Sequence, residues 1–223
     1  MTAAAQPEDA RYAQVLSFPN GRELRRRLPP LIVGVFAIGF AIATSVRAAL
    51  GVAPWDVLHQ GLAHLTGLSF GLVVVLVGLV VLLAWIPLRQ RMGVGTVINT
   101  LSIGFIANLG IYLIPEQHLI VVRVPMLLVS IVMFGVGGGL YIGAGLGPGP
   151  RDGLMTAIAA RGNRLWIVRT VLECSALGAG YLLGGHVGVG TVLLALTIGP
   201  ATHLGLRRFH LPVGDVTPEV LGE

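Results

Sequence analysis

Leu50-Gly51-Val52-Ala53-Pro54-Trp55-Asp56-Val57-Leu58 returns in the second half of the chain as Leu146-Gly147-Pro148-Gly149-Pro150-Arg151-Asp152-Gly153-Leu154. Further on, Gly93-Val94-Gly95-Thr96-Val97 returns as Gly188-Val189-Gly190-Thr191-Val192. The offset is 96 residues at the first match and 95 at the second, so one deletion reconciles them. Leu101, Ile103, Gly104, Leu109 and Gly110 continue the second match at Leu196, Ile198, Gly199, Leu204 and Gly205. An apolar chain repeats Leu and Val by chance, but not its rare polar residues in the same frame. The sequence reads as a duplicated unit, and such duplication is a common frame of membrane transporters.

Composition sets the class. The chain has 223 residues, 54% of them hydrophobic and 11% charged, with a mean hydropathy of +0.83. An average soluble domain carries about 25% charged residues. Six apolar stretches approach the ~20 residues needed to cross a bilayer. They cover roughly 31–50, 68–88, 94–114, 124–146, 165–183 and 187–206. Glycine is abundant at 32 residues, and Gly135, Gly139 and Gly143 recur at four-residue spacing, which suits close helix packing in lipid. The single cysteine, Cys174, falls inside a span, so no disulfide framework exists.

The net charge of +5 reports topology, not a nucleic-acid partner. The cations are all arginines. Arg11, Arg22, Arg25, Arg26 and Arg27 precede the first span, and Arg89 and Arg91 follow the second. Arg151, Arg161 and Arg164 lie between the fourth and fifth, and Arg207 and Arg208 follow the sixth. Only Arg47 and Arg123 fall near the opposite face. Loops that stay in the cytoplasm are enriched in Arg and Lys, so both termini are expected there. A polar start and a long first apolar run argue against a cleaved signal peptide.

The expected fold is an all-α integral membrane protein of six transmembrane helices, arranged as two three-helix repeats. An odd number of spans per half sends the second copy in from the opposite side, so the repeats are expected to have inverted topology. The expected divisions are an arginine-rich cytoplasmic arm over 1–30, repeats over 31–115 and 124–208, and a cytoplasmic tail over 209–223. After the first span of each half, Gly51 or Gly147 permits a sharp turn, and Pro54 or Pro150 starts a short helix, over 54–65 and 150–160.

Asp56 and Asp152 stand two residues into those short helices. Interrupted helices with free N-termini are what inverted-repeat transporters use to hold substrates and ions. The competing reading is a plain helix-start residue at the membrane interface, worth ~1 kcal/mol. Gly93, Gly95 and Thr96, with Gly188, Gly190 and Thr191, open the third span of each half. There the glycines would let another backbone approach, the broken segment being one candidate.

Arg169 and Glu173 break the repeat, since Val73 and Val77 stand in their place in the first half. Four residues apart on one helix, they project from one face and can pair. An arginine within a span costs ~3 kcal/mol or more in lipid, which makes it a site candidate, although snorkelling to the cytoplasmic face would also explain it. Were the pair sealed in the interior, removing one member would cost ~3–5 kcal/mol. Asn99, Thr100, Ser102 and Asn108, with Thr197, Thr202 and His203, form a weaker polar set, for which interhelical hydrogen bonds are the ordinary explanation. His59 and His64 lie about 140° apart on a helix and have no third ligand by spacing, so neither metal nor cofactor is expected. With no Gly-x-Ser-x-Gly, His-Glu-x-x-His or Walker sequence, the chain is not expected to be an enzyme, nor to hydrolyse ATP.

Taken together, Gly51 to Gly61, Trp85 to Arg91 and Gly147 to Met155 resemble the YczE-type branch of the YczE/YyaS/YitT bacterial membrane protein family. Arg169 to Glu173, Leu183 to Gly185 and Ile198 to Pro200 share the likeness, which spans 31–206. The resemblance implies an inner-membrane protein of the same six-span kind and supplies no reaction.

Two readings of function follow. The first is a small secondary transporter or permease, with a site for an unidentified small metabolite between the halves. Arg169 would hold its anionic group, Glu173 would position Arg169, and the two aspartates would line the entrances or bind a coupling ion. The second is a non-transporting accessory or scaffold protein. A deep polar cavity would favour the first, and a dry, solid core the second. The partners on this view are the lipid bilayer and the small molecule, not nucleic acid, with homo-oligomer formation left open.

Overall fold

The computed structural model describes residues 21–211, all of whose regular structure is helical. Eight helices follow in order: α1 (Gly21–Ala48), α2 (Pro54–Thr66), α3 (Phe70–Leu88), α4 (Val94–Leu113), α5 (Ile120–Gly143), α6 (Pro150–Ala159), α7 (Leu165–Leu182) and α8 (Val189–Phe209). All except α2 and α6 are long and apolar enough to cross a membrane, which makes six candidate spans. Their outer faces carry large apolar side chains such as Leu79, Leu83, Val121, Leu196 and Leu204, as a lipid-facing surface requires.

One boundary differs from expectation. The sequence places an arm up to residue 30, because that stretch is polar and rich in arginine. Instead α1 begins at Gly21 and runs through Pro29 and Pro30. The reason is tertiary. Arg27 is 1% exposed, and its Nη1 donates to the Ala144 carbonyl (3.0 Å) and to the Leu211 carbonyl (3.2 Å), while Nε donates to Glu23 (2.7 Å). Ala144 closes α5, so the guanidinium satisfies a carbonyl at a helix C-terminus, where positive charge is favoured. The remainder of the expected arm, and the tail from residue 212, lie outside the described residues. The fourth span also begins early, at Ile120 rather than 124, which shortens the preceding connection.

Helix packing rests on glycine, because lipid offers no hydrophobic drive between helices and close backbone contact must replace it. At the centre, α1 lies against α5, with Gly34 against the backbone of Gly137 and Tyr141. Gly135 and Gly139 of α5 meet Ala201 and Gly205 of α8, as their spacing suggests. Gly39 and Ala43 of α1 likewise meet Ile106 and Gly110 of α4. Leu31, Val35, Ile38, Ile42, Phe134 and Leu194 fill the core between these helices.

The two glycine-threonine segments hold the two breaks, each one the break of the other half. Gly95 N donates to the Leu146 carbonyl (2.8 Å), and Gly190 N donates to the Leu50 carbonyl (2.7 Å). Thr96 Oγ1 donates to the Pro148 carbonyl (2.8 Å) and accepts from Gly93 N (3.2 Å). Thr191 Oγ1 accepts from Gly188 N (3.2 Å) in the same way. Gly51 and Gly147 take φ of 113° and 122°, conformations that favour glycine, and a side chain at either would strike the facing threonine. Backbone carbonyls freed by a broken helix are thus satisfied by protein, the condition for irregular chain at membrane depth.

Candidate functional site

The two crossed breaks meet around a cavity of about 680 Å³. Pro54 and Pro150 begin α2 and α6 there, and Asp56 and Asp152 stand in their first turns. The N-cap positions themselves are held by Ala53 and Gly149, so each aspartate is the third residue of its helix. Both line the cavity, as do Arg169 and Glu173 of α7. The four residues singled out in the sequence are therefore brought to one space, by α2, α6 and α7.

Their environments differ. The Asp56 side chain is 3% exposed, and His59 Nδ1 lies 3.2 Å from its Oδ1. His59 in turn meets Phe70 edge-on, with ring centroids 6.0 Å apart. The Asp152 side chain is 40% exposed, with Arg151 Nε 4.0 Å from Oδ1. Asp56 is enclosed and Asp152 is open.

Arg169 Nε donates to Glu173 Oε1 at 2.9 Å, one turn along α7. The guanidinium faces α8, where Gly199 leaves it room. The pair is not sealed. Its side chains are 40% and 20% exposed, so the large cost expected for breaking a buried pair gives way to the small one of a solvated pair.

Of the weaker polar set, Asn99, Thr100, Thr202 and His203 line the cavity. Asn108 has a structural task instead: its Oδ1 accepts from Gly71 N (2.8 Å) and its Nδ2 donates to Ser69 Oγ (3.0 Å), satisfying the start of α3. Thr197 donates to the carbonyl of Leu193 within its own helix. Trp85, fully buried, spans the halves by donating from Nε1 to the Pro150 carbonyl (3.0 Å), and its ring fills the space left by Gly153.

Sequence reasoning missed His59 as the partner of Asp56, having weighed it only as a metal ligand. It also missed Trp55 and Tyr141, both cavity-lining, whose Nε1 and Oη are buried without a hydrogen-bond partner among the described residues. A signal was present in the repeat itself. His59, Tyr141 and Asn99 each differ from the residue at the equivalent position, namely Met155, Ser45 and Leu194. Arg169 and Glu173 do the same against Val73 and Val77. These five polar residues depart from the shared frame and line the cavity, as do the repeated Asp56 and Asp152, whereas the repeated Thr96 and Thr191 hold the scaffold.

Comparison with known proteins agrees with this architecture. A family model described as a family of unknown function, DUF6198, matches residues 25–206. An uncharacterised protein of Haemophilus influenzae is 36% identical over 187 residues, covering 82% of this chain and 86% of that protein. The uncharacterised membrane protein YczE of Bacillus subtilis is 30% identical over 194 residues, covering 86% and 88%. The uncharacterised protein YyaS of the same organism is 24% identical over 184 residues, covering 77% and 88%. No solved structure matches the chain. The extent of these matches, together with six helices able to span a membrane, makes the chain a YczE-like integral membrane protein of the DUF6198 family.

Proposed function

We propose that the protein is a small secondary transporter or permease, whose substrate site lies between two three-span repeats of inverted topology. The observation that carries this reading is the joint one: Asp56 and Asp152, from the two breaks, line a single cavity of about 680 Å³. Inverted-repeat transporters place their sites where two interrupted helices meet near the repeat interface. The reciprocal bonds from Gly95 to Leu146 and from Gly190 to Leu50 support a pseudo-two-fold relation. A cavity of this size and polarity favours transport over an accessory or scaffold role, and the reading assigns the chain no catalysis.

On the arginine distribution both termini are cytoplasmic in a bacterial inner membrane, and the Asp152 break belongs to the cytoplasmic side. An open Asp152 and an enclosed Asp56 then describe an inward-facing state. The opposite exposure pattern would describe the outward-facing state. The substrate is a small metabolite, and Arg169, partly exposed and aimed by Glu173, supplies a fork for a carboxylate or phosphate group on it.

A screen of the full-length protein in detergent against a metabolite library, read as thermal stabilisation, identifies ligands, since binding to the folded form alone raises stability. Hits are then tested for uptake into proteoliposomes, with Asp56→Asn and Asp152→Asn as controls. Uptake that is saturable and lost in both variants is the expected result. A hit that stabilises the protein but never crosses the bilayer would return the chain to the accessory class.

A further inference from the structure

Side-chain oxygens of Tyr141, Asn99 and Asp152 flank the break before α6. Tyr141, on α5, is 2% exposed, and its Oη has no hydrogen-bond partner among the described residues. Asn99, on α4, is 7% exposed, and its carboxamide also makes no hydrogen bond among the described residues. A methyl group added to Gly149 would stand 3.1 Å from Tyr141 Oη and 3.4 Å from both Asn99 Oδ1 and Asp152 Oδ2. Oxygens from three helices thus flank one point at the helix break, and all three residues line the cavity. Asp152 divides its carboxylate: Oδ1 is the oxygen nearer Arg151, and Oδ2 is the one beside Gly149.

The shared frame does not demand this set. At the equivalent positions of the opposite repeat the chain carries Ala53, Leu194 and Ser45, and Ser45 Oγ is occupied with the Ile42 carbonyl of its own helix. A buried polar atom left without a partner is destabilising. Tyr141 Oη is such an atom, and with the Asn99 carboxamide and a carboxylate oxygen beside it in the cavity it calls for a group that the described residues do not supply. The charge of the lining gives that group its sign. The lining holds three carboxylates, Asp56, Asp152 and Glu173, against two guanidinium groups, Arg151 and Arg169.

We propose that Asn99, Tyr141 and Asp152 bind a monovalent cationic centre, either an alkali cation or the ammonium group of a small organic molecule. Hard cations take carboxylate, carboxamide and hydroxyl oxygens, and an ammonium offers three donors to three acceptors. Gly149 keeps the space open, because any side chain there would occupy it. In terms of the transport reading, on which the use of the site rests, the cation is the coupling ion or the positive end of the substrate, with Arg169 left to the negative end.

The test is thermal unfolding of the full-length protein in detergent, at fixed pH and ionic strength. Sodium, potassium or methylammonium chloride replaces choline chloride, whose quaternary nitrogen has no N–H donor and is too large for the site. Wild type should gain several degrees at about a hundredfold excess of the bound cation over its Kd. A response to the alkali chlorides identifies an ion site, and a response to methylammonium identifies an ammonium site. Gly149→Ala and Asn99→Leu put in the residues of the equivalent positions in the opposite repeat, and both should abolish the response. Tyr141→Phe should weaken it at least tenfold in apparent Kd, while leaving the midpoint in choline unchanged or higher.

Identical wild-type midpoints in all four salts would overturn the proposal, as would an unaltered response in Gly149→Ala. The result separates from the transport reading. A protein that takes up a metabolite without this cation response keeps the transport reading and loses this site. One that shows the response but moves nothing keeps the site and loses transport.

Discussion

Arg27 donates to the carbonyl of Ala144, and Arg123 donates to the carbonyls of Ala48 and Ala49. Arg123 lies 96 residues after Arg27, and Ala144 lies 96 after Ala48. Each arginine therefore ties the start of one half's first span to the end of the other's. The bond is reciprocal in the same sense as the two glycine contacts, and it fixes the ends of α1 and α5 where those contacts fix the breaks.

The two ties should differ in strength. Arg27 is fully buried and Arg123 is half-buried, so water can replace the lost donor only at the second. Arg27→Leu should cost ~1–3 kcal/mol of stability through carbonyls left without a partner. Arg123→Leu should cost less, and thermal unfolding in detergent, compared at matched pH, checks the order.

The crossing of the breaks should be intolerant of bulk. A Cβ on Gly93 would stand 2.1 Å from the Leu146 carbonyl oxygen, and one on Gly188 would stand 2.3 Å from that of Leu50. Neither backbone can yield without moving a helix end. Gly93→Ala and Gly188→Ala should each cost ~1–3 kcal/mol or more, with reduced yield of folded protein on size-exclusion chromatography. Gly178→Ala, which meets open space, is the control and should be near neutral.

Asp56→Asn and Asp152→Asn should leave expression and folding intact, because Asn matches Asp in shape and the N-cap positions are held by Ala53 and Gly149. Both should abolish the binding or uptake of any ligand found in the metabolite screen. Ligand binding equal to wild type in both variants would reduce the aspartates to scaffold.

Glu173→Gln should cost only ~0–1 kcal/mol in the protein without ligand, given a pair this exposed. Its effect should fall on function. Arg169, freed from its partner, is no longer held in one geometry, and an anionic ligand should stabilise the variant more than wild type. Arg169→Lys should bind such a ligand poorly, since one ammonium cannot reproduce the bidentate fork. Equal ligand-induced shifts in wild type, Glu173→Gln and Arg169→Lys would make the pair a topological feature only.

Topology is open to a direct check. On a Cys174→Ala background, a cysteine at Gln117 should react with a membrane-impermeant maleimide from outside, and one at His210 only after permeabilisation. External labelling at 210 would remove the basis for inverted repeats.

The sequence by itself determined the class, the six apolar stretches, the two breaks and the residues that depart from the repeat. Each of these is a local property: hydropathy over ~20 residues, a glycine-proline step, or a polar residue set against an apolar one in the same frame. Tertiary structure decided what local pattern cannot carry. The stretch up to residue 30 reads as a polar, arginine-rich arm, whereas α1 begins at Gly21 and Arg27 within it finds acceptors 117 and 184 residues away. The glycine-threonine segments suggested a close backbone approach, but that each clasps the break of the opposite half follows only from how the halves cross. Asn99, Tyr141 and Asp152 sit on three helices with no common spacing. Their convergence at Gly149 exists because α4, α5 and α6 are brought together by packing, and packing is a relation between distant segments that no single segment encodes.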